Sequence, residues 1–328
     1  MNILITGGGG FLGSQLAREL NSRTAISPSG GAPAAIDRIV LADKSFSPTS
    51  RAKIGPRILL KEGDIGDPSF ALSLMGHNLG VVFHLAAMVS GDGERDPSGC
   101  WRTNVEGTRH LLEACRKASS GTVIVFASSL AVFGGAGMPA IVSDDTKPFP
   151  QTTYGMTKLV GELMINDYSR KGFVDGRAAR LPTVFIRPGR PNAAASSFAS
   201  AVLREPLNGQ SYSLPVPMTQ GVPLLGYRRV VHNLVRLAEV PAALIGGDRV
   251  VTMPSTRYEI SKMIAALAET ARRRGITLGA VTESPDDAII RIVRGWPEGT
   301  EGSRARTLGM KADDSAQQVI DEYIEDFL

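Results

Sequence analysis

The chain has little cysteine and little tryptophan, two of each in 328 residues. So few thiols exclude a disulfide-stapled scaffold and suit a reducing compartment. Cys100 and Cys115 have no nucleophile architecture near them, and both read as inert. His77, His84, His110 and His232 show no zinc-ligand spacing, so no metal is expected; His84 reads as a packed strand-end residue. Long apolar runs are also missing. Windows such as Val81 to Val89 fall far short of the roughly 20 residues that span a bilayer. Met1 leads straight into Asn2-Ile3-Leu4-Ile5-Thr6 with no basic leader, so the expected location is the cytoplasm, without a membrane partner. Charge of one sign is scarce too: 36 basic against 32 acidic residues leave a net +4. No Lys/Arg stripe interleaved with aromatics is present, which argues against nucleic acid.

What is present is ordinary globular material, 43% hydrophobic and 21% charged. At roughly 150 residues per domain the length suggests about two units. Short apolar runs lie at Asn2 to Thr6, Arg38 to Ala42, Arg57 to Glu62, Val81 to Leu85, Thr122 to Ala127 and Thr183 to Ile186. Amphipathic stretches alternate with them: Phe11 to Leu20, Phe70 to Leu74, Asn104 to Lys117 and Tyr154 to Ser169. That alternation predicts an α/β fold, a doubly wound Rossmann-type parallel sheet covered on both faces. Prolines then cluster from Pro188 to Pro223, and helical spacing returns at Val230 to Glu239, Tyr258 to Arg274 and Asp314 to Leu328. The expected division is a nucleotide-binding domain over residues 1–188 and a smaller C-terminal substrate-binding region over 189–328. Residues from about 223 to 254 are expected to return to the first. Ser27 to Ala35, rich in Pro, Gly and Ala, reads as an inserted surface loop.

Thr6-Gly7-Gly8-Gly9-Gly10-Phe11-Leu12-Gly13 sets Gly7, Gly10 and Gly13 between a strand and a helix. Glycines there let backbone N–H groups, with the positive helix end, approach a pyrophosphate. Asp43, ending the second strand, suits the adenosine ribose hydroxyls and repels a 2′-phosphate, which favours NAD over NADP; Lys44 beside it weakens that preference. Asp64-Ile65 either accepts from the adenine or simply ends a strand. Tyr154-Gly155-Met156-Thr157-Lys158 puts a phenol and an ammonium four residues apart on one helix face. A phenol ordinarily ionises near pH 10, and a neighbouring cation favours its basic form. Ser129, at a strand end 25 residues upstream, is positioned to orient the same substrate oxygen. Tyr258 to Lys262 repeats the Tyr-x-x-x-Lys spacing without the serine-tipped strand, and reads as an ordinary helix turn.

With these residues in their order the chain resembles the extended short-chain dehydrogenase/reductase family, of NAD-dependent epimerase/dehydratase type. His84-Leu85-Ala86-Ala87, Asn104 with Gly107-Thr108, Val132-Phe133-Gly134 and Arg187-Pro188-Gly189 add to the likeness. The resemblance implies that Leu85, Ala86 and Ala87 line the cofactor and that Pro188 and Gly189 border its nicotinamide. It implies that Asn104 holds a helix bend with a proton-relay water. It also implies a homodimer through the helices around Asn104 to Lys117 and Tyr154 to Ser169. The stretches 172–177, 187–200 and 295–297 resemble a group within the family that oxidises a four-carbon sugar acid at C2.

The resulting expectation is NAD-dependent oxidation of D-erythronate or a similar aldonate to the 2-oxo acid. Tyr154 is the base, Lys158 holds the nicotinamide ribose and Ser129 positions the oxygen. For the small anionic substrate the candidate ligands are Ser90, Asn192, Ser196, Ser197 and Arg228, besides Ser129 and Tyr154. Arg228 is either a carboxylate ligand or a solvated helix-start arginine, and the serines are either ligands or helix caps. The alternative is a nucleotide-sugar epimerase that retains its NAD. A dehydratase is disfavoured, because Leu130-Ala131 follow Ser129 where an acidic pair would be required. A silent NAD-binding scaffold is disfavoured because Ser129, Tyr154 and Lys158 are all kept.

Overall fold

The computed structural model describes residues 1–48, 55–118, 121–189 and 196–328. Its centre is a seven-stranded parallel sheet. The strands are β1 (Asn2–Thr6), β2 (Arg38–Asp43), β3 (Ile58–Glu62), β4 (Leu79–His84), β5 (Val123–Ser129), β6 (Asp175–Leu181) and, from much later in the chain, Val250–Thr252. Their spatial order places β1 between β2 and β4, with β3 at one edge and Val250–Thr252 at the other. The order reverses between β1 and β4, where an open α/β sheet leaves a crevice at its carboxyl ends.

Side chains alternate along each strand, so both faces are packed. Ile3, Ile5, Val81, Phe83 and Val125 face a core that includes helix α1 (Phe11–Ser22). Leu4, Val82, Ile124 and Phe126 face another, closed by α2 (Gly107–Ala118) and α3 (Thr153–Arg170). The expected helix from Asn104 is interrupted: residues Arg102–Glu106 form a π turn before α2 begins.

A separate core is built from residues that follow Pro182. Phe185, Ile186, Phe198, Val202, Leu224, Ile260, Val319 and Ile320 meet there, below a three-stranded sheet of β7 (Thr183–Phe185), β8 (Gly221–Gly226) and Thr256–Glu259. Its helices are α4 (Ser197–Leu207), α6 (Ile260–Arg274), α7 (Asp287–Arg294) and α8 (Ala316–Phe327). The remaining long helix, α5 (Tyr227–Glu239), turns back instead and packs its Val230, Leu234 and Leu237 onto the first core beside α1.

Two strands of the large sheet escape the sequence pattern. Strand β6 reads Asp-Gly-Arg-Ala-Ala-Arg-Leu, with a fully buried Arg177 and a nearly buried Arg180. Arg177 donates to the carbonyls of Leu237 (2.6 Å), Ala238 (3.2 Å) and Val240 (2.6 Å) at the end of α5 and pairs with Asp175, while its Nε has no hydrogen-bond partner among the described residues. Its Nη2 also donates to Ser29 Oγ (3.0 Å), whose hydroxyl in turn donates to Asp175 (2.7 Å). Arg249 pairs with the other Asp175 oxygen. The inserted Ser27 to Ala35 segment therefore closes a buried arginine cluster at the amino end of β6. Val250–Thr252 is missed for a simpler reason, its length of three residues. The second Tyr-x-x-x-Lys is not one helix turn: Tyr258 lies in a strand and packs on Phe185 (5.8 Å), and the helix starts at Ile260.

Candidate active site

The carboxyl ends of β1, β2, β4, β5 and β6 open into one cleft of about 1130 Å³. At its nucleotide end, helix α1 starts from Gly10 with no capping side chain and no acidic residue in its first turn, so its amino end is free for an anion. Gly13 is needed for close approach, since a Cβ there would lie 2.2 Å from the Gly7 carbonyl oxygen. Gly7, Gly10, Phe11, Leu12, Gly13, Asp43, Ile65, Leu85, Ala86 and Ala87 all line the cleft.

Asp43 accepts from the Gly9 N–H (2.9 Å) and the Lys44 N–H (2.7 Å), which ties the carboxylate to the glycine loop. The Lys44 ammonium turns to Asp64 (3.3 Å), with Arg102 at 3.8 Å from the same oxygen. Lys44 is thus committed to Asp64, and negative charge prevails at Asp43. Asp64 itself does not line the cleft; it also accepts from the Gly66 N–H (2.9 Å) and ends its strand. These residues fit a dinucleotide with free ribose hydroxyls.

At the reacting end Ser129, Tyr154 and Lys158 converge on the cleft. Helix α3 is set there by its cap, Thr152 Oγ1 accepting from Gly155 N (3.0 Å), and by Glu94, which accepts from Thr153 N (2.7 Å). Gly155 lets the helix touch the loop after β5: a Cβ would lie 2.0 Å from the Ala131 carbonyl oxygen. One turn deeper, Glu162 receives Arg180 through two bonds (3.0 and 2.9 Å) and Ser128 through a third (2.5 Å), locking α3 to β5 and β6.

Lys158 is buried, donates to the Ala127 carbonyl (2.8 Å) and lies 5.7 Å from the Tyr154 ring centre. Burial pushes its pKa down to about 8. Burial likewise pushes the Tyr154 phenol up to about 12, opposed by the Ser129 hydroxyl and by the charge of Arg187. Arg187, which the sequence holds within Arg187-Pro188-Gly189, adds a second cation beside the phenol.

Asn104 does not line the cleft. Its amide is used inside the protein: Oδ1 accepts from Met88 N (2.8 Å), and Nδ2 faces Met88 O (3.1 Å), Thr157 Oγ1 (3.0 Å) and Cys100 Sγ (3.3 Å). It braces the π turn against α3. Ser90 and Ser196 line the cleft; Ser197 begins α4 and does not. Asn192 lies outside the described residues. Pro188 and Gly189 border a second, smaller cavity of about 640 Å³ rather than the main cleft.

Arg228 is a correction. Its guanidinium pairs with Asp326 (3.0 Å) and Glu325 (3.3 Å) on α8, and it does not reach the cleft. Residues nearly a hundred positions apart meet there, which local pattern could not reveal. Glu94, Gln151, Thr183, Arg187, Ile292 and Trp296 also line the cleft, though none of them was a candidate site residue from the sequence.

The sequence model of the NAD dependent epimerase/dehydratase family matches residues 3–252. The chain belongs to this family. It is an enzyme of the oxidoreductase type, and the family's cofactor suits the glycine loop and Asp43. Within the curated proteins, D-erythronate dehydrogenase of Cupriavidus necator is 42% identical over 326 residues, 99% of this chain and 98% of the relative. D-erythronate dehydrogenase of Haemophilus influenzae is 37% identical over 327 residues, 99% of each chain. A crystal structure described as the nucleoside-diphosphate-sugar epimerase from Agrobacterium tumefaciens superposes with a TM-score of 0.88 at 36% identity. It covers all of this chain and 94% of its own. Among the described residues of this family member, no helix is long and apolar enough to cross a membrane.

Proposed function

We propose that the chain oxidises D-erythronate, or a closely similar four-carbon aldonate, at its C2 hydroxyl to the 2-oxo acid, with NAD as hydride acceptor. The observation that carries the reading is the convergence of Ser129, Tyr154 and Lys158 on the cleft that also holds the glycine loop. The near full-length likeness to two proteins named for D-erythronate supports the substrate class.

In this reading Ser129 hydrogen-bonds the C2 oxygen and Tyr154, as phenolate, takes its proton. The C2–H bond gives its electron pair to the cofactor, and the C2–O bond becomes a carbonyl. Bound NAD supplies the hydride-accepting carbon. Lys158, held by Ala127, presents its remaining N–H groups to the nicotinamide ribose. Asp43 takes the adenosine ribose hydroxyls, and its charge selects against a 2′-phosphate.

The test is NADH formation by purified protein on a panel of aldonates and uronates, with NADP in parallel. Preferential turnover of D-erythronate with NAD is expected. Silence on every acid, with NAD tightly retained and sugars inverted without net reduction, would replace this reading with the epimerase one. For the mechanism, Tyr154→Phe is expected to cut turnover at least about 10²–10⁴-fold, the span of general-base help, while NAD still binds. Near-normal turnover in that variant would remove Tyr154 as the base.

A further inference from the structure

Arg187 is the arginine of the main cleft, and its position is fixed independently of its side chain. Its N–H donates to Ser200 Oγ (3.1 Å), and its carbonyl accepts from Arg204 (2.8 Å). Among the described residues its guanidinium makes one hydrogen bond, to Ser196 Oγ (3.1 Å), and no ion pair. The buried arginines here have carboxylates, whereas the half-buried Arg187 has none: Arg177 and Arg249 pair with Asp175, Arg180 with Glu162, and Arg204 with Glu205. An arginine without a carboxylate, lining a cleft beside the Ser129 and Tyr154 hydroxyls, is a vacant anion receptor.

Among the described residues, the other cations lining the cleft are already engaged. Lys44 is paired with Asp64 at the adenosine end, and Lys158 is bound to Ala127. Arg187 also lies close enough to Tyr154 for its charge to act on the phenol. A carboxylate carbon is directly bonded to C2 in a 2-hydroxy acid. A group that must be near both the base and the anion therefore has to stand where Arg187 stands.

We propose that Arg187, with Ser196 beside it, receives the substrate carboxylate and restricts the site to 2-hydroxy acids. This rests on the dehydrogenase reading given above. Arginine's planar fork matches a carboxylate through two parallel bonds, which a lysine cannot reproduce. With the anion in place, C2 and its hydroxyl are held toward Ser129 and Tyr154.

The experiment compares D-erythronate with D-erythronamide, which has the same carbons and hydroxyls without the charge. In Arg187→Met, kcat/KM for the acid is expected to fall about 100-fold or more, mainly through KM. Turnover of the amide also loses the Arg187 charge beside the phenol, so it should fall too, but at least about tenfold less than that of the acid, and the NAD dissociation constant should not move. Arg187→Lys should fall between, and guanidinium ion should restore part of the activity of Arg187→Met. Equal losses on acid and amide, or unchanged turnover of the acid, would overturn the assignment. If the wild-type enzyme oxidises no acid, the dehydrogenase reading fails by itself. Calorimetric binding of tartronate to the NADH complex then tests Arg187 directly. Weaker binding to Arg187→Met supports the receptor, and equal binding to both proteins overturns it.

Discussion

At the His84 side chain, hydrogen-bond arithmetic fixes the tautomer. Thr108 Oγ1 donates to the Asn104 carbonyl (2.6 Å), so it must accept from His84 Nε2 (2.9 Å). His84 Nδ1 then accepts from Thr6 Oγ1 (2.6 Å), which itself accepts from Ala86 N (3.3 Å). The chain joins the cofactor-lining loop to the π turn, and only a neutral imidazole completes it. Burial, with the charge of Lys158, holds the His84 pKa down to about 3. The unfolded chain takes up this proton near pH 6.5, before the folded one does. His84 therefore contributes stability that is complete above pH 6.5 and is lost as pH falls toward 3, by up to roughly 1.4 kcal/mol per pH unit. Urea unfolding between pH 7 and pH 5 measures that slope. It should flatten in His84→Gln, and an unchanged slope there would assign the proton uptake elsewhere. The apolar strand around His84 marks it as a packed residue, and it is buried; the two threonines that make it neutral come from other elements and leave no local signal.

Helix α3 shows what was legible at the element scale and what was not. Its Tyr-x-x-x-Lys spacing and the serine ending β5 could be read directly, because both depend on local periodicity. So could five of the large sheet's strands, whose apolar runs are continuous. Strand β6 could not, since its two arginines look like surface residues until partners from α3, α5 and the 27–35 loop are in place. Arg180 is one end of the anchor that holds α3. Removing one member of a buried pair leaves an uncompensated charge and typically costs about 3–5 kcal/mol. Glu162→Ala should therefore lower the unfolding free energy obtained by urea titration by an amount in that range, whereas Arg180→Met/Glu162→Met together should recover much of it. A double variant as unstable as Glu162→Ala would mean that packing, not the stranded charge, sets the cost.

Across the whole molecule, the C-terminal helix ties the two cores together. Phe327 meets Tyr227 at 5.6 Å and Phe11 at 6.1 Å between ring centres. Asp326 accepts from Tyr227 (2.6 Å), Arg228 (3.0 Å) and Arg18 (3.1 Å), so one carboxylate links α1, α5 and α8. Asp326→Ala leaves the Tyr227 hydroxyl and Arg228 without their partner and is expected to cost about 1–3 kcal/mol. Arg228→Ala should weaken the same junction while leaving the KM for the acid unchanged, and a selective rise in that KM would return Arg228 to the substrate. Fold class was open to sequence because it depends on the order of elements. This junction was not, because it depends on side chains from opposite ends of the chain meeting.

The two thiols turn the scarcity of cysteine into a measuring device. Cys100 is buried behind α3, within 3.8 Å of Thr157 Oγ1, and Cys115 is buried in the core under α2, where burial pushes its pKa up to about 12. Neither is reactive while the structure is closed, so modification by a disulfide reagent has to wait for an opening motion. Each sulfur then times a different event, one the lifting of the catalytic helix and the other the parting of the sheet core. The native chain can thus be followed without an added label, and substrate or NAD that clamps α3 should slow the Cys100 clock more than the Cys115 one.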